Sequence, residues 1–450
     1  MTETQADAPV DQARTSEEGA LSRFLRATEL DTRMLGMVGA LLLIWIGLQI
    51  LSSLRLGVSP FELDGRAFLS PRNLWNLSVQ SSSIAIMATG MVLVIVTRNI
   101  DLSVGSLLGF VGMIMGVTQA EFLSQMLGIP FGHPSVWVIA LVTGIIVGVG
   151  IGALQGFLIA YGGIPAFIVT LGGLLVWRGA AWWVTSGRTV APMDPTFRLM
   201  GGGPAGSIGA TWSWVVALVA CLGVVFLLLS ARRQRIRFKF PLRPVWAEML
   251  LGSVSCAIIL GAVWVANSYP WPIGIVRRYY QDQGLEVPEG AFIAHGIAIP
   301  VVIAILVGVA MTFISTRTRF GRYVFAIGGN PEAAMLAGIP VRWVTLKIFM
   351  LMGLLVSISA AVSTARLNAA TNAQGQLDEL LVIAAAVIGG TSLSGGVGTV
   401  AGAMIGAVLM QSLASGMILL GVDTPLQNVV VGAALVLAVW LDTVYRQRSK

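Results

Sequence analysis

The sequence predicts an all-α, polytopic bundle of about twelve membrane-spanning helices. Hydrophobic residues make up 56% of the 450 residues and charged residues only 11%, whereas a soluble domain carries about 25% charged residues. Too few charges remain to cover a water-exposed surface. Apolar stretches of about 18 residues or more recur along most of the chain, and each is typical of a helix that crosses a bilayer. The 53 glycines suit close contact between helices in such a bundle.

Eleven apolar segments are long enough to cross a bilayer as helices. A twelfth segment, 379–390, has only 12 residues. At about 1.5 Å per residue it falls short of a hydrocarbon core roughly 30 Å thick. The eleven full-length segments are 34–54, 80–97, 102–120, 136–161, 164–185, 212–230, 246–267, 296–315, 344–364, 400–420 and 426–444.

The distribution of basic residues predicts that the short segment crosses and that both termini are cytoplasmic. If it crosses, 19 of the 28 Lys and Arg residues face one side of the membrane, and the positive-inside rule makes that side cytoplasmic. The loop between the sixth and seventh segments holds six of these cations: Arg232, Arg233, Arg235, Arg237, Lys239 and Arg243. A nucleic-acid patch is the alternative interpretation, but two flanking apolar helices favour topology as the explanation, so no nucleic-acid partner is expected.

These patterns divide the chain into one membrane domain and two tails. Residues 1–33 are predicted to form a polar, disordered cytoplasmic tail, 34–445 the membrane domain and 446–450 a second cytoplasmic tail. The membrane domain contains a helix pair at 212–267 and a cytoplasmic loop at 316–344. The domain is expected to contact membrane lipid over its apolar faces.

Motifs for catalysis are missing from the sequence. We find no GxxxxGK[ST] phosphate-binding loop, no HExxH and no GxSxG. His133 and His295 are the only histidines, and both cysteines, Cys221 and Cys256, fall within predicted membrane helices. We therefore expect no enzyme activity, no cofactor and no metal site in this chain.

Ionisable residues stand at the ends of the predicted spans and not in their middles. They are Asp101, Arg178, Glu248, Lys347, Asp378 and Glu379. Carriers driven by an ion gradient usually bury such a group at mid-membrane, because it binds the coupling ion. If the chain moves a solute actively, this pattern favours energy supplied by a separate ATPase.

The cytoplasmic loop contains a short predicted helix. Asn330 is a good N-cap, Pro331 suits the first helical position and Glu332 complements the positive end of the helix dipole. Gly338 fits the left-handed position that ends a helix. Two turns of helix are not stable alone in water, so this one packs either on its own bundle or on a partner subunit.

Three sequence blocks carry a resemblance to a known family. The stretch NPEAAMLAG at 330–338 closely resembles the cytoplasmic coupling loop of permeases from ribose- and xylose-type ABC importers, and RFGRY and AIGG just before it extend the match. TRNIDLSVGS at 97–106 and IGGTSLSGG at 388–396 are similar to further family blocks, in family order. The family often has glycine or another small residue where Arg98 and Asn99 stand here.

The resemblance implies a function and a set of partners. It implies the permease subunit of an ATP-driven monosaccharide importer in the bacterial inner membrane, with ATP-binding cassette ATPase subunits, a periplasmic sugar-binding protein and a second permease copy. The extra helix pair at 212–267 resembles the longer D-xylose branch. The residues implied in coupling to the ATPase are Asn330, Pro331, Glu332, Ala333, Ala334 and Gly338.

A sugar pathway needs hydrogen-bonding groups without charge, and amide and hydroxyl side chains interrupt the apolar segments at several points. The short segment at 379–390, with glycines after it, suggests a broken helix beside this pathway. Serine and threonine hydroxyls in membrane helices also bond to their own backbone, and Asp101 can simply cap the next helix. The candidate pathway residues are Gln80, Ser83, Asp101, Ser103, Asn368, Asn372, Gln374, Thr391 and Ser392.

Two alternative functions remain open from the sequence. One is a sugar carrier of the same architecture driven by an ion gradient. The other is the same permease architecture with a nucleoside or another small polar cargo.

Overall fold

The computed structural model describes residues 24–25, 27–29, 31–61 and 66–448. Most of the predicted tail at 1–33 and the last two residues therefore lie outside the described residues. Within that part of the chain the protein forms helices and three isolated β-bridges, with no strand. The predicted all-α class is confirmed.

Fifteen helices of the described chain are labelled here. They are α1 (Thr32–Leu56), α2 (Pro71–Val96), α3 (Val104–Val117), α4 (Val136–Ala160), α5 (Ala166–Trp183), α6 (Gly209–Arg237), α7 (Val245–Asn267), α8 (Ile273–Asp282), α9 (Ile299–Arg317), α10 (Arg319–Gly329), α11 (Pro331–Leu336), α12 (Val341–Leu367), α13 (Asp378–Ile388), α14 (Val400–Leu419) and α15 (Thr424–Arg448). Those that correspond to predicted segments follow their bounds to within a few residues, except that α2 begins nine residues earlier and α6 ends seven residues later. Helices α8 and α10 correspond to no predicted segment.

Ten helices of the described chain are long and apolar enough to cross a membrane: α1 to α7, α9, α12 and α14. Helix α3 reaches this length because a π-helical turn at Thr118–Phe122 and a last turn at Leu123–Met126 continue it. Helix α13 has 11 residues, and within the residues searched α15 contributes a shorter apolar stretch, Thr424–Leu437. A polytopic helical bundle is confirmed, and the number twelve remains a prediction.

The chain separates into two compact units. One contains the described residues up to Gly36 together with Trp214–Ala262, and thus most of α6 and α7. The other contains Met37–Ser213 and the chain from Val263 onward. The core of this larger unit is α2, in which every residue from Ile84 to Val96 is buried.

Helices α4 and α12 pack closely in the larger unit because small residues line both of them. Gly148 of α4 faces Gly353 of α12, and a Cβ on either would collide with the other helix's backbone. The Ser357 hydroxyl donates to the main-chain carbonyl oxygen of Gly144 at 3.0 Å. Small residues and an interhelical serine bond are typical of helix contacts in membranes, where apolar burial alone gives no preference for protein over lipid.

Candidate functional site

A cavity of about 750 Å³ opens at the ends of α2 and α12 in the larger unit. Two of the predicted pathway residues, Gln80 and Asn368, line it. The other polar and aromatic lining residues were not predicted as pathway residues. They include Trp75, Asn76, Arg198, Trp271, Arg278, Tyr279, Asp282 and Arg366.

The two predicted amides are held by neighbours. Gln80 accepts a hydrogen bond at Oε1 from Gln411 Nε2 at 2.9 Å. Asn368 has a left-handed backbone with φ of 52°, and its Oδ1 accepts from the main-chain N–H of Met193 at 3.0 Å. In both side chains the carbonyl oxygen is engaged, so the amide N–H groups are the ones presented for a ligand.

Trp75, which lines the cavity, belongs to an aromatic cluster with Tyr269 and His295. The Trp75 indole donates from Nε1 to the Gly296 carbonyl oxygen at 2.9 Å, and its ring lies 4.8 Å from His295 and 5.6 Å from Tyr269. The His295 and Tyr269 rings are stacked 4.3 Å apart. His295 Nδ1 donates to the Tyr269 carbonyl oxygen at 3.0 Å. Burial lowers the pKa of His295, which favours a neutral imidazole in this cluster.

The segment 368–377 joins α12 to α13 and packs lengthwise against α3. Its Ala370 exchanges two main-chain hydrogen bonds with Val190, at 3.0 and 2.9 Å. Along α3 a stripe of glycines faces the segment: a Cβ on Gly116 would lie 2.6 Å from Ala370 Cβ, and one on Gly109 would lie 2.6 Å from the Gln374 carbonyl oxygen. The segment therefore lies beside α3 within the bundle. Only glycine on α3 allows the segment to approach this closely at these positions.

Hydrogen bonds from side chains hold this segment in place at Gln374. Gln374 was predicted as a pathway residue. Arg178 Nη1 donates to the carbonyl oxygens of Asn372 at 2.9 Å and Gln374 at 2.8 Å. The Gln374 amide pairs with the Thr364 hydroxyl at 3.1 Å. Asn372 and Gln374 thus share one structural element, and Gln374 uses its side chain for packing within the bundle. Arg178 was not predicted as a site residue.

Asp101 and Ser103 form a second polar group inside the bundle. Asp101 accepts from the Ser103 N–H at 2.8 Å and from its hydroxyl at 2.7 Å, and Gln155 donates to the Ser103 oxygen at 2.9 Å. Ser103 precedes α3, so Asp101 bonds the residue before the helix and not an N–H of its first turn. Gln155 lies five residues before the end of α4, roughly 8 Å along the helix.

Two acidic residues near α3 and α13 were predicted to stand at the ends of membrane spans. The structure instead buries both of them within the bundle. Asp101 is 2% exposed and Glu379 is 7% exposed. Glu379 follows the first residue of α13, but that end of the helix lies beside Gly105 of α3 within the bundle. Its Oε2 has no hydrogen-bond partner among the described residues. The sequence could not show this, because it does not reveal that 368–377 enters the bundle.

The remaining candidates lie elsewhere. Ser83 pairs with Ser359 at 2.6 Å between α2 and α12. Thr391 and Ser392 lie in the loop after α13 and are fully buried, with Ser392 bonded to Ser394 at 2.7 Å. The structure therefore does not gather the nine predicted residues around a single cavity.

The predicted short helix is present as α11. The Asn330 side chain accepts from the Ala333 N–H at 3.0 Å, and Pro331 occupies the first turn. Gly338 has φ of 79°, the left-handed conformation expected after this helix. Leu336 is 90% exposed, while Ala334 is buried against the bundle. Helix α10, immediately before it, was not predicted separately.

Arg98, in the turn after α2, connects that turn to the end of α10, directly before α11. It donates from Nε to the Gly328 carbonyl oxygen at 3.1 Å and from Nη2 to that of Gly329 at 2.8 Å. Gly396, in the loop after α13, donates its N–H to the Val96 carbonyl oxygen at 3.0 Å. All three resembling sequence blocks therefore meet at one end of the bundle, around a notch of about 320 Å³ lined by Arg98 and 329–332.

The resemblance implies glycine or another small residue where Arg98 and Asn99 stand, and the backbone of Arg98 has a conformation that glycine adopts without strain. Its φ is 63°, in the left-handed region that costs an L-residue about 1–2 kcal/mol. Here the two side-chain bonds to 328 and 329 compensate for that cost. The departure from the family pattern is thus accommodated by contacts that glycine could not make.

Comparison with known proteins agrees with these features. Residues 73–439 match the family described as branched-chain amino acid transport system / permease component. Xylose transport system permease protein XylH of Escherichia coli K12 is 36% identical over 86% of this chain and 88% of its own length, and that of Haemophilus influenzae is 37% identical over 84% and 91%. Ribose import permease protein RbsC of Escherichia coli K12 is 30% identical over 83% and 87%.

No solved structure matches the chain. The relatives are permease proteins, and the family match covers nearly all of the larger unit. The chain therefore belongs to the branched-chain amino acid transport system / permease component family, as a multi-pass inner-membrane permease and not an enzyme.

Proposed function

We propose that this chain is the membrane-spanning subunit of an ATP-driven sugar importer and that its cargo is D-xylose. The observation that carries the proposal is 36–37% identity to two xylose permeases across at least 84% of the chain. Identity to a ribose permease over the same region is 30%.

The lining of the cavity of about 750 Å³ can bind a sugar at the entrance of the proposed pathway. Trp75 and Trp271 offer aromatic faces, Gln80 and Asn368 offer amide N–H donors, and Asn76 offers an amide with both a donor and an acceptor for hydroxyl groups. From there the segment 368–377, which contains Asn372 and Gln374, leads into the bundle beside α3. We propose that this segment and the Asp101–Ser103 group rearrange when the permease alternates between its two openings.

Energy is proposed to enter through α11. Its Leu336 is 90% exposed and Met335 is 63% exposed, so the helix presents an apolar surface that an ATPase subunit can cover. Arg98, in the turn after α2, bonds the end of α10, which leads directly into α11. Movement of α11 would then reach the 97–103 loop directly. Two copies of the permease, two ATPase subunits and a periplasmic binding protein complete the proposed assembly.

The test is transport by the permease reconstituted with its ATPase and binding protein in liposomes. Labelled D-xylose should accumulate only when ATP and the binding protein are both present. A protonophore or sodium ionophore should leave uptake unchanged while ATP is maintained. Uptake that follows the ion gradient without ATP would support the carrier alternative, and preferential uptake of a nucleoside would support the other cargo class.

A further inference from the structure

The smaller unit carries a cluster of cations at one end of its two long helices. Helix α6 ends in four arginines, and the connection to α7 adds a lysine and a fifth arginine. The six are Arg232, Arg233, Arg235, Arg237, Lys239 and Arg243. They lie next to the apolar body of two helices that can each cross a membrane.

Two glutamates engage three of these cations. Glu29 accepts from Arg235 at 2.6 and 2.7 Å and from Arg243 at 2.8 Å, and these arginines lower the pKa of Glu29 to about 2. Arg232 pairs with Glu248 at 2.6 Å. These ion pairs hold the end of α6, the connection and the segment around Glu29 together.

The other three cations, Arg233, Arg237 and Lys239, are exposed. Within the described part of the chain, no carboxylate forms an ion pair with any of them. Arg237 lies 5.8 Å from the Phe238 ring centroid, a contact that leaves its charge in place. Arg233 and Arg237 are four residues apart, so they lie on one face of α6.

Beside this surplus charge is an apolar cleft of about 590 Å³ between α6 and α7. Val225, Leu228, Leu229, Met249 and Gly252 line it, and Arg232 and Glu248 lie at its polar end. Arg233 stands four residues after Leu229, one helical turn beyond the cleft lining. The cleft and the cations therefore follow one another along the same side of α6.

We propose that this unit binds an anionic phospholipid, with an acyl chain in the α6–α7 cleft and the phosphate headgroup on Arg233, Arg237 and Lys239. An apolar cleft within membrane-crossing helices suits a hydrocarbon chain. Lysines and arginines at the cytoplasmic end of such helices attract anionic headgroups. An acidic protein segment would satisfy the cations but would leave the cleft without an apolar occupant.

The probes are phosphatidylglycerol and phosphatidylcholine with identical acyl chains, titrated onto the purified full-length permease and counted by native mass spectrometry. Phosphatidylglycerol should bind this site with an affinity at least about tenfold higher than that of phosphatidylcholine. The triple variant Arg233→Gln, Arg237→Gln, Lys239→Gln should remove that preference. The matched control Arg317→Gln, Arg319→Gln, Arg322→Gln removes three other predicted cytoplasmic cations and should keep it.

Two further variants separate lipid binding from general damage. Arg233→Lys with Arg237→Lys keeps the charge and should keep the preference for phosphatidylglycerol. Ser253→Phe fills the cleft and should weaken binding of both lipids at this site. Glycerol 3-phosphate, which has no acyl chain, should not displace the lipid at equal concentration. Equal binding of the two lipids, an unchanged preference in the glutamine variant, no effect of Ser253→Phe, or displacement by glycerol 3-phosphate would each overturn the proposal.

Discussion

Arg178 donates a hydrogen bond from Nη1 to the main-chain carbonyl oxygen of Gln374 at 2.8 Å. The contact joins α5, five residues before its last residue, to the segment 368–377, which lies between α12 and α13. A main-chain carbonyl inside a bundle needs a donor, since no regular helix or sheet supplies one there. Arg178 therefore supplies the hydrogen-bond donor that allows an irregular segment to lie inside the bundle.

Replacement of Arg178 should destabilise the segment. Arg178→Gln loses the charge-assisted bonds to Asn372 and Gln374, which are worth about 1.5–3 kcal/mol each, and leaves buried carbonyls without their donor. We expect a lower melting temperature in detergent and loss of uptake. Arg178→Lys retains one charged donor, so its melting temperature and uptake should lie between those of the parent protein and those of Arg178→Gln. Wild-type stability and uptake in Arg178→Gln would show that another group satisfies these carbonyls.

The glycine stripe of α3 gives a sharper test because a matched control exists. Gly109→Ala places a Cβ about 2.6 Å from the Gln374 carbonyl oxygen, so the segment must move and uptake should fall. Gly179→Ala, on α5, meets nothing within 4 Å. Alanine there should be neutral or stabilise by up to about 1 kcal/mol. Equal uptake by the two variants would contradict the packing of 368–377 on α3.

The short helix α11 was predictable in detail, whereas the path of 368–377 was not. Asn330, Pro331 and Gly338 each act through local backbone chemistry, so the sequence alone places the cap, the first turn and the end of the helix. The packing of Gln374 on Gly109 joins residues far apart in sequence. Nothing local distinguishes an amide in a loop from an amide inside the bundle.

The same limit applies to the cavity. Gln80 and Asn368 were predicted because polar side chains stand out in apolar segments. Trp75 and His295 were not predicted, since their contact joins α2 to the stretch before α9. Tryptophan near the end of a membrane helix is also typical of the interfacial belt, which hides any role at a site.

The coupling role of α11 predicts that its variants lose uptake and not insertion. Glu332→Arg reverses the charge at the positive end of the helix, and Gly338→Val forces a β-branched residue into a left-handed conformation at a cost of about 1–2 kcal/mol or more. Both should abolish ATP-dependent uptake, measured in the reconstituted system, with normal amounts of permease in the membrane. Normal sugar accumulation in either variant would count strongly against coupling through this helix.

Protonation of His295 should loosen the aromatic cluster that packs against Trp75 of the cavity lining. Burial lowers its pKa below the ordinary value near 6.5, so the unfolded chain binds a proton at a pH where the folded chain does not. Stability is therefore full above about pH 6.5 and declines as the pH falls from there toward the lowered pKa. The contribution of this residue can be followed as the melting temperature between about pH 7.5 and 5.

His295→Gln keeps a polar side chain but cannot titrate in this range. It should melt at a lower temperature than the parent protein at pH 7.5, because the stacking with Tyr269 at 4.3 Å is lost. It should also show a smaller decline between pH 7.5 and 5. A decline equal to that of the parent protein would assign the pH dependence to a different group.

Arg98 offers a pair of substitutions that separates backbone strain from side-chain contact. Arg98→Ala removes both bonds to Gly328 and Gly329 and keeps a side chain at φ of 63°. Arg98→Gly removes the same bonds but relieves the backbone, so it should be more stable than the alanine variant by about 1 kcal/mol. If the bonds from Arg98 to 328–329 carry movement of α11 to the turn after α2, both variants should show ATP hydrolysis with little uptake. If Arg98 only stabilises the turn, the glycine variant should transport normally while the alanine variant does not.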